Sequence, residues 1–270
     1  MRKLRTALRQ RWYLAAAGGI VVIVAAILLV VRISSLQRDE TWERIQREGL
    51  MHVGMDASYP PFDLVDSEAH FVGYDVDLAL EIGARLGVRV EFVNIFFDGL
   101  YDALYSERID LIISALPHDR LLTRDVAYSY SYFNAGPVLL VARGDDRIHG
   151  VEDLAGRRVV VELGSAAHQE GRRLSRSDKI EFILDPKRTP EEVVAALLDG
   201  QADAALYDGI AALQLTGQGT PIEIVTGPLS DEPYVIAVRL DSPLLLERVN
   251  EAIVELREEG FFLRLEEKWF

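Results

Sequence analysis

Apolar and polar positions along this chain switch between a two-residue and a 3.6-residue period, and the switches lay out its elements. Leu50 and Val53 open a short apolar strand that must end at Pro60-Pro61, which cannot donate to a ladder. Asp56 and Tyr59 are therefore left at a strand end, the edge at which open α/β sheets take ligands. Phe62 returns to the core. Gly73 and Asp75 then precede Val76, Ala79, Leu80, Gly83 and Leu86, apolar or small residues at helical spacing. The pattern predicts a helix over 76–86, with Asp75 as N-cap and Gly87 as its stop.

Val88, Val90 and Phe92 alternate with Arg89 and Glu91 as in a half-buried strand. Asp98 can cap a short helix carrying Leu100, Tyr101 and Leu104, and residues 109–113 read as a fully buried strand. A second set follows, with strands over 138–142, 157–161, 180–184, 202–207 and 222–225, and a helix opening at Gly164-Ser165. Thr189-Pro190-Glu191-Glu192 starts another helix: Thr189 caps it, Pro190 takes the first helical position and Glu192 closes a capping box. A strand over 234–238, an amphipathic helix over 244–258 and a tail helix reaching Phe270 complete the pattern. Such alternation predicts an α/β fold of parallel sheets with crossover helices.

Residues 12–31 break the pattern, because they carry no charge and lie between Arg2, Lys3, Arg5, Arg9 and Arg11 on one side and Arg32 on the other. At about 1.5 Å rise per residue such a run crosses the roughly 30 Å hydrocarbon layer. It is longer than a secretory apolar region and lacks a small-residue cleavage site before Ser34-Ser35, which favours a retained transmembrane anchor over a cleaved signal. The basic excess places residues 1–11 in the cytoplasm and all that follows the run outside, tethered through a linker over 32–41; cleavage would instead leave a secreted or periplasmic protein.

The net charge is −14 overall and −19 beyond residue 40, which argues against nucleic acid as a partner. No cysteine is present, so there is no disulfide framework, thiolate metal site or lipid-modified cysteine. His52, His70, His118, His149 and His168 show no metal-ligand spacing, and no nucleophile elbow, phosphate loop or dinucleotide fingerprint occurs. No cofactor is expected.

Val53-Gly54, Asp56 and Tyr59-Pro60-Pro61-Phe62, followed by Gly73-Tyr74-Asp75-Val76-Asp77-Leu78-Ala79, resemble the opening of the extracytoplasmic solute-binding proteins of family 3, which serve polar amino acid ABC transporters. The likeness runs from Trp42 to Phe270. It continues through Val151-Glu152-Asp153-Leu154-Ala155-Gly156, Gly164-Ser165, Ala202-Asp203-Ala204 with Asp208, and Lys268-Trp269-Phe270. The resemblance implies a two-lobed type II periplasmic-binding-protein fold, two open α/β sheets with ligand in the cleft between them. Lobe one would be 42–136 plus 233–270 and lobe two 137–232, hinged near Ala135-Gly136-Pro137 and Asp231-Glu232-Pro233. It also implies a monomeric receptor, not an enzyme, that passes a small polar solute, foremost an amino acid, to the permease subunits of an ABC importer. Two alternatives share the fold: a cyclohexadienyl or arogenate dehydratase, which needs a general acid, and a ligand-sensing domain.

Carried over residue by residue, the resemblance makes Asp208 the partner of the ligand ammonium, against the plain reading of a helix N-cap. Asp56 would line the side-chain end, against a turn-capping role. Tyr59 and Phe97 would sandwich the ligand, and the Ala115 carbonyl would accept from the ammonium. Ser165 and Ala166 open a helix whose free N–H groups suit an anion, against ordinary capping by Ser165. The pattern departs from its relatives at the arginine that clamps the ligand carboxylate, since Leu122 stands at the aligned position. Either Arg120 or Arg124 reaches in from a displaced loop, or the clamp is absent.

Overall fold

Two five-stranded sheets built to one plan organise residues 39–176 and 180–270, the part of the chain that the computed structural model describes. The membrane run expected over 12–31 lies outside these residues, and among them no helix is long and apolar enough to cross a membrane. The first sheet has the order Arg89–Asn94, Leu50–Met55, Leu111–Ile112, Ala237–Arg239, Val126–Tyr128. The second has the order Ile183–Lys187, Arg158–Glu162, Ala204–Tyr207, Val138–Ala142, Ile222–Thr226.

In each sheet the first three strands are parallel and the last two join by antiparallel pairing. The sheets are thus mixed, where strand–helix alternation alone predicts parallel ones. A parallel neighbour needs a crossover connection, whereas Val138–Ala142 and Ala237–Arg239 follow directly on segments that pass from one sheet to the other. Those segments run side by side: Phe133–Asn134 pairs antiparallel with Pro233–Tyr234, the Ala135 N–H donates to Glu232 O at 3.0 Å, and the Leu229 N–H donates to Pro137 O at 2.8 Å. No side chain would fit between them at Gly136, where a Cβ would lie 2.3 Å from Ser230 O. A Cβ at Gly209 would in turn lie 2.4 Å from Gly136 O.

Several bounds move once tertiary contacts are present. The strand expected over 109–113 shrinks to Leu111–Ile112, and that over 180–184 starts at Ile183. The strand over 234–238 splits, because the Val235 N–H turns to Leu116 O and the Ile236 N–H to the Ser129 hydroxyl. Thr189 caps the Pro190–Leu198 helix as its sequence dictates, accepting from the Glu192 N–H. The Glu192 carboxylate reaches back one residue further than a capping box requires, to the Arg188 N–H at 2.9 Å.

The early helix begins at Tyr74 rather than Val76, and Asp75 does not cap it. Gly73 occupies the N-cap with φ 144°, and Asp75 is swallowed by the core. The Gly87 C-cap is left-handed, as expected. A Cβ at Gly73 would lie 1.9 Å from Phe62 O, so the helix start and the Tyr59-Pro60-Pro61-Phe62 turn touch backbone to backbone. We expect Gly73→Ala to destabilise the fold by at least about 2 kcal/mol, through forbidden φ and collision together. A chemical-denaturation midpoint unchanged from the parent would refute this account of the turn.

Candidate functional site

The carboxyl ends of the second sheet's parallel strands converge on a cavity of about 230 Å³. Its wall includes Glu162, Ser165, Ala166, Pro190, Tyr207 and Asp208, with Ala135 and Pro137 from the passing segment. Asp208 stands where Ala204–Tyr207 ends and the Gly209–Gly217 helix begins; one carboxylate oxygen caps that helix, accepting from the Ala211 N–H at 2.8 Å. Capping and cavity lining are therefore both true of Asp208. Ser165 is occupied in a similar way. Its hydroxyl donates to Glu162 O at 2.8 Å and accepts from the His168 N–H at 3.1 Å, and the Gly164 N–H is received by His168 Nδ1 at 3.0 Å. These bonds fold the loop so that the Ala166–Arg176 helix opens onto the cavity.

The candidates on the first sheet form a second group. Asp56 is half-buried and has both carboxylate oxygens engaged, by the Ser58 hydroxyl at 2.7 Å and the Phe97 N–H at 2.9 Å. Neither bond is to a backbone N–H of its own turn, so the carboxylate does not cap that turn; it fixes Phe97, which stays 41 % exposed beside an 86 % exposed Phe96. Tyr59 is exposed and stacks on Phe62, with ring centroids 5.8 Å apart. Tyr234 has its proton affinity raised by burial first, then by the neighbouring Tyr59, and further by the charges of Asp208 and Asp75. Tyr234 thereby links the two groups. Ala115 is buried with φ 42°.

Arg120 and Arg124 do not reach the cavity. Leu122 fills the inward position of their loop, packing against the cluster of Leu100, Leu104 and Ile112, and both arginines lie in solvent. Glu162, Tyr207 and Pro190 are wall residues that the sequence reading passed over. The available signal was a carboxylate ending the apolar run Val159-Val160-Val161.

Beneath the first group lies a buried pair of acids. Asp63 accepts from the Ser114 hydroxyl at 3.0 Å, and that hydroxyl accepts from the Asp56 N–H at 2.9 Å. Asp75 accepts from the Ala115 N–H at 2.5 Å and the Tyr132 hydroxyl at 2.9 Å. The Oδ1 atom of each acid has no hydrogen-bond partner among the described residues. Burial pushes the Asp63 carboxyl far above the usual range, and the neighbouring Asp75 carboxylate adds to the shift. Burial also raises Asp75, against the Ala115 N–H and Tyr132 hydroxyl that favour its charged form. Asp56 and Ala115 therefore rest on a pair that holds a proton at neutral pH.

Residues 51–270 match the model of the bacterial extracellular solute-binding proteins, family 3. The L-cystine-binding protein TcyJ of Escherichia coli is 29% identical over 241 residues, spanning 88% of this chain and 89% of its own length. A mutant of ArgBP from T. maritima is 37% identical, with a TM-score of 0.51 over 85% of this chain and 99% of its own. An ancestral cyclohexadienyl dehydratase reaches a TM-score of 0.74 over 84% of this chain and 95% of its own; at 22% identity it shares the fold. The two-lobed α/β arrangement is shared with these solved structures.

The acid pair makes stability depend on pH with a definite sign. Both carboxyls have raised folded-state values, so their contribution is complete below the ordinary unfolded range near about pH 4 and falls as pH rises through the folded values. We expect the melting temperature to drop between neutral and strongly alkaline pH, and Asp63→Asn to flatten that drop. Parallel curves for the two proteins would rule out ionisation of the pair in this window.

Proposed function

This chain belongs to the bacterial extracellular solute-binding proteins, family 3, and we propose that it captures an amino acid outside the cell for an ABC importer. The observation that carries the reading is the Asp208 carboxylate on a cavity that also receives the opening of the Ala166–Arg176 helix. Asp208 takes the ligand ammonium. The first free N–H groups of the helix, at Ala166 and Ala167, take the carboxylate by geometry and dipole. The carboxylate clamp is assigned to that helix, because Leu122 rather than an arginine takes the inward position of the 117–124 loop.

Residues 42–136 plus 233–270 act as one lobe and 137–232 as the other. Rotation on the paired segments brings Tyr59, Phe97, Asp56 and the Ala115 carbonyl over the ligand, and expelling water strengthens the ion pair with Asp208. Permease subunits then read the closed form. Residues 12–31 tether the receptor, which works as a monomer without a cofactor.

We infer binding rather than catalysis. His168 is buried with Nδ1 held by the Gly164 N–H, and the acids whose proton affinity burial raises, Asp63, Asp75 and Glu266, are not among the residues of the cavity wall. The test is calorimetric titration of the full chain with a panel of amino acids, with prephenate as control. At least one amino acid should bind. Asp208→Asn should weaken that ligand by about 2–5 kcal/mol, roughly thirtyfold to several thousandfold, while asparagine keeps the cap and the melting temperature. No heat from any amino acid would overturn the assignment, and turnover of prephenate would replace it with the dehydratase reading.

A further inference from the structure

Glu162 ends a strand whose preceding residues, Val159, Val160 and Val161, are completely buried. The strand pairs in parallel with Ala204–Tyr207, Val159 against Ala204 and Val160 against Ala205. Two residues further along that register, Glu162 comes beside Tyr207, with Asp208 next in the chain. All three line the same cavity. Glu162 is half-buried, yet its carboxylate makes no hydrogen bond or ion pair with any described residue; it is the backbone carbonyl that receives the Ser165 hydroxyl.

The carboxylates facing the candidate site differ in how far they are committed. Asp56 has both oxygens engaged and Asp208 has one. Glu162 has neither engaged. No lysine or arginine lies among the cavity residues, the Lys187 ammonium is taken by Asp185 at 3.2 Å, and Arg188 is exposed. The field inside is correspondingly negative: burial raises the Tyr207 hydroxyl, and Glu191, Glu162 and Asp208 raise it further.

We propose that Glu162 is a specificity-determining residue that selects amino acids with a cationic side chain. The inference rests on the proposed function above. One carboxylate suffices for the α-ammonium, and that role falls to Asp208. The second is then closed in with the ligand, and an unpaired charge shut away from water is strongly unfavourable. A side-chain ammonium or guanidinium satisfies it, whereas a neutral side chain of the same shape leaves it stranded. Discrimination therefore works by penalty against the neutral ligand as well as by attraction to the charged one.

The experiment compares arginine with citrulline, nearly isosteric and differing in side-chain charge, by calorimetry on the full chain in detergent. Arginine should bind about thirtyfold or more tightly than citrulline. Glu162→Gln should abolish most of that preference, weakening arginine and tightening citrulline, while the melting curve stays near the parent's. Equal affinities in the parent chain, or a preference that survives in Glu162→Gln, would overturn the role of Glu162 and leave the amino acid assignment standing. Absence of binding by every amino acid would overturn both.

Discussion

Everything in the first lobe turns on the ring of Phe62. It lies within 5.1–5.8 Å, centroid to centroid, of Tyr59, Tyr74, Phe133, Tyr234 and Phe270. Those residues come from the proline turn, the early helix, both passing segments and the residue after the last helix. Aromatic contacts of this kind are worth about 0.5–1.5 kcal/mol each beyond area burial. Phe62 therefore joins parts of the chain more than two hundred residues apart, and it does so directly behind the exposed ring of Tyr59. An aromatic able to cover a ligand is positioned by the same cluster that holds the two passing segments.

The site's residues share their work with the scaffold. Asp208 caps a helix and lines a cavity, Ser165 ties a loop that opens a helix, and Asp56 spends its charge on Ser58 and Phe97. Such double duty follows from building at strand ends, where unsatisfied backbone groups and ligand-facing side chains occupy the same few residues. Glu162 is the exception, and its lack of structural employment is what marks it. The buried acids beneath the site extend the same logic in the opposite direction. Asp63 and Asp75 have given up contact with solvent to fasten Ser114, Ala115 and Tyr132.

Local chemistry was legible where it acts within a few residues. The Thr189 cap, the Gly87 stop and the strand end before Pro60-Pro61 needed nothing beyond their neighbours. Asp75 was misread because an aspartate between a glycine and a helical run looks like a cap; only the approach of Ala115 and Tyr132, forty and more residues away, reveals otherwise. The antiparallel edge of each sheet was hidden for a related reason, since periodicity reports a strand but not its direction. Leu122 could be matched by position to an arginine of relatives, but not where its loop would turn. Glu162 drew no notice, just past the strand expected over 157–161, until register set it beside Tyr207. Return of the chain at 233–270 to the first sheet was legible through family resemblance alone, because nothing in composition distinguishes that segment from a domain of its own.

The bare contact between Gly209 and Gly136 has a mechanical meaning. It sets the first residue of a helix directly against one of the two strips joining the lobes, with hydrogen rather than a side chain between the backbones. Asp208 precedes that contact by one residue and so lies beside the strips on which the proposed rotation turns. In the rotation proposed above, a charge beside the axis shifts little against the first lobe, so a ligand resting on it is already engaged when Tyr59 and Phe97 arrive.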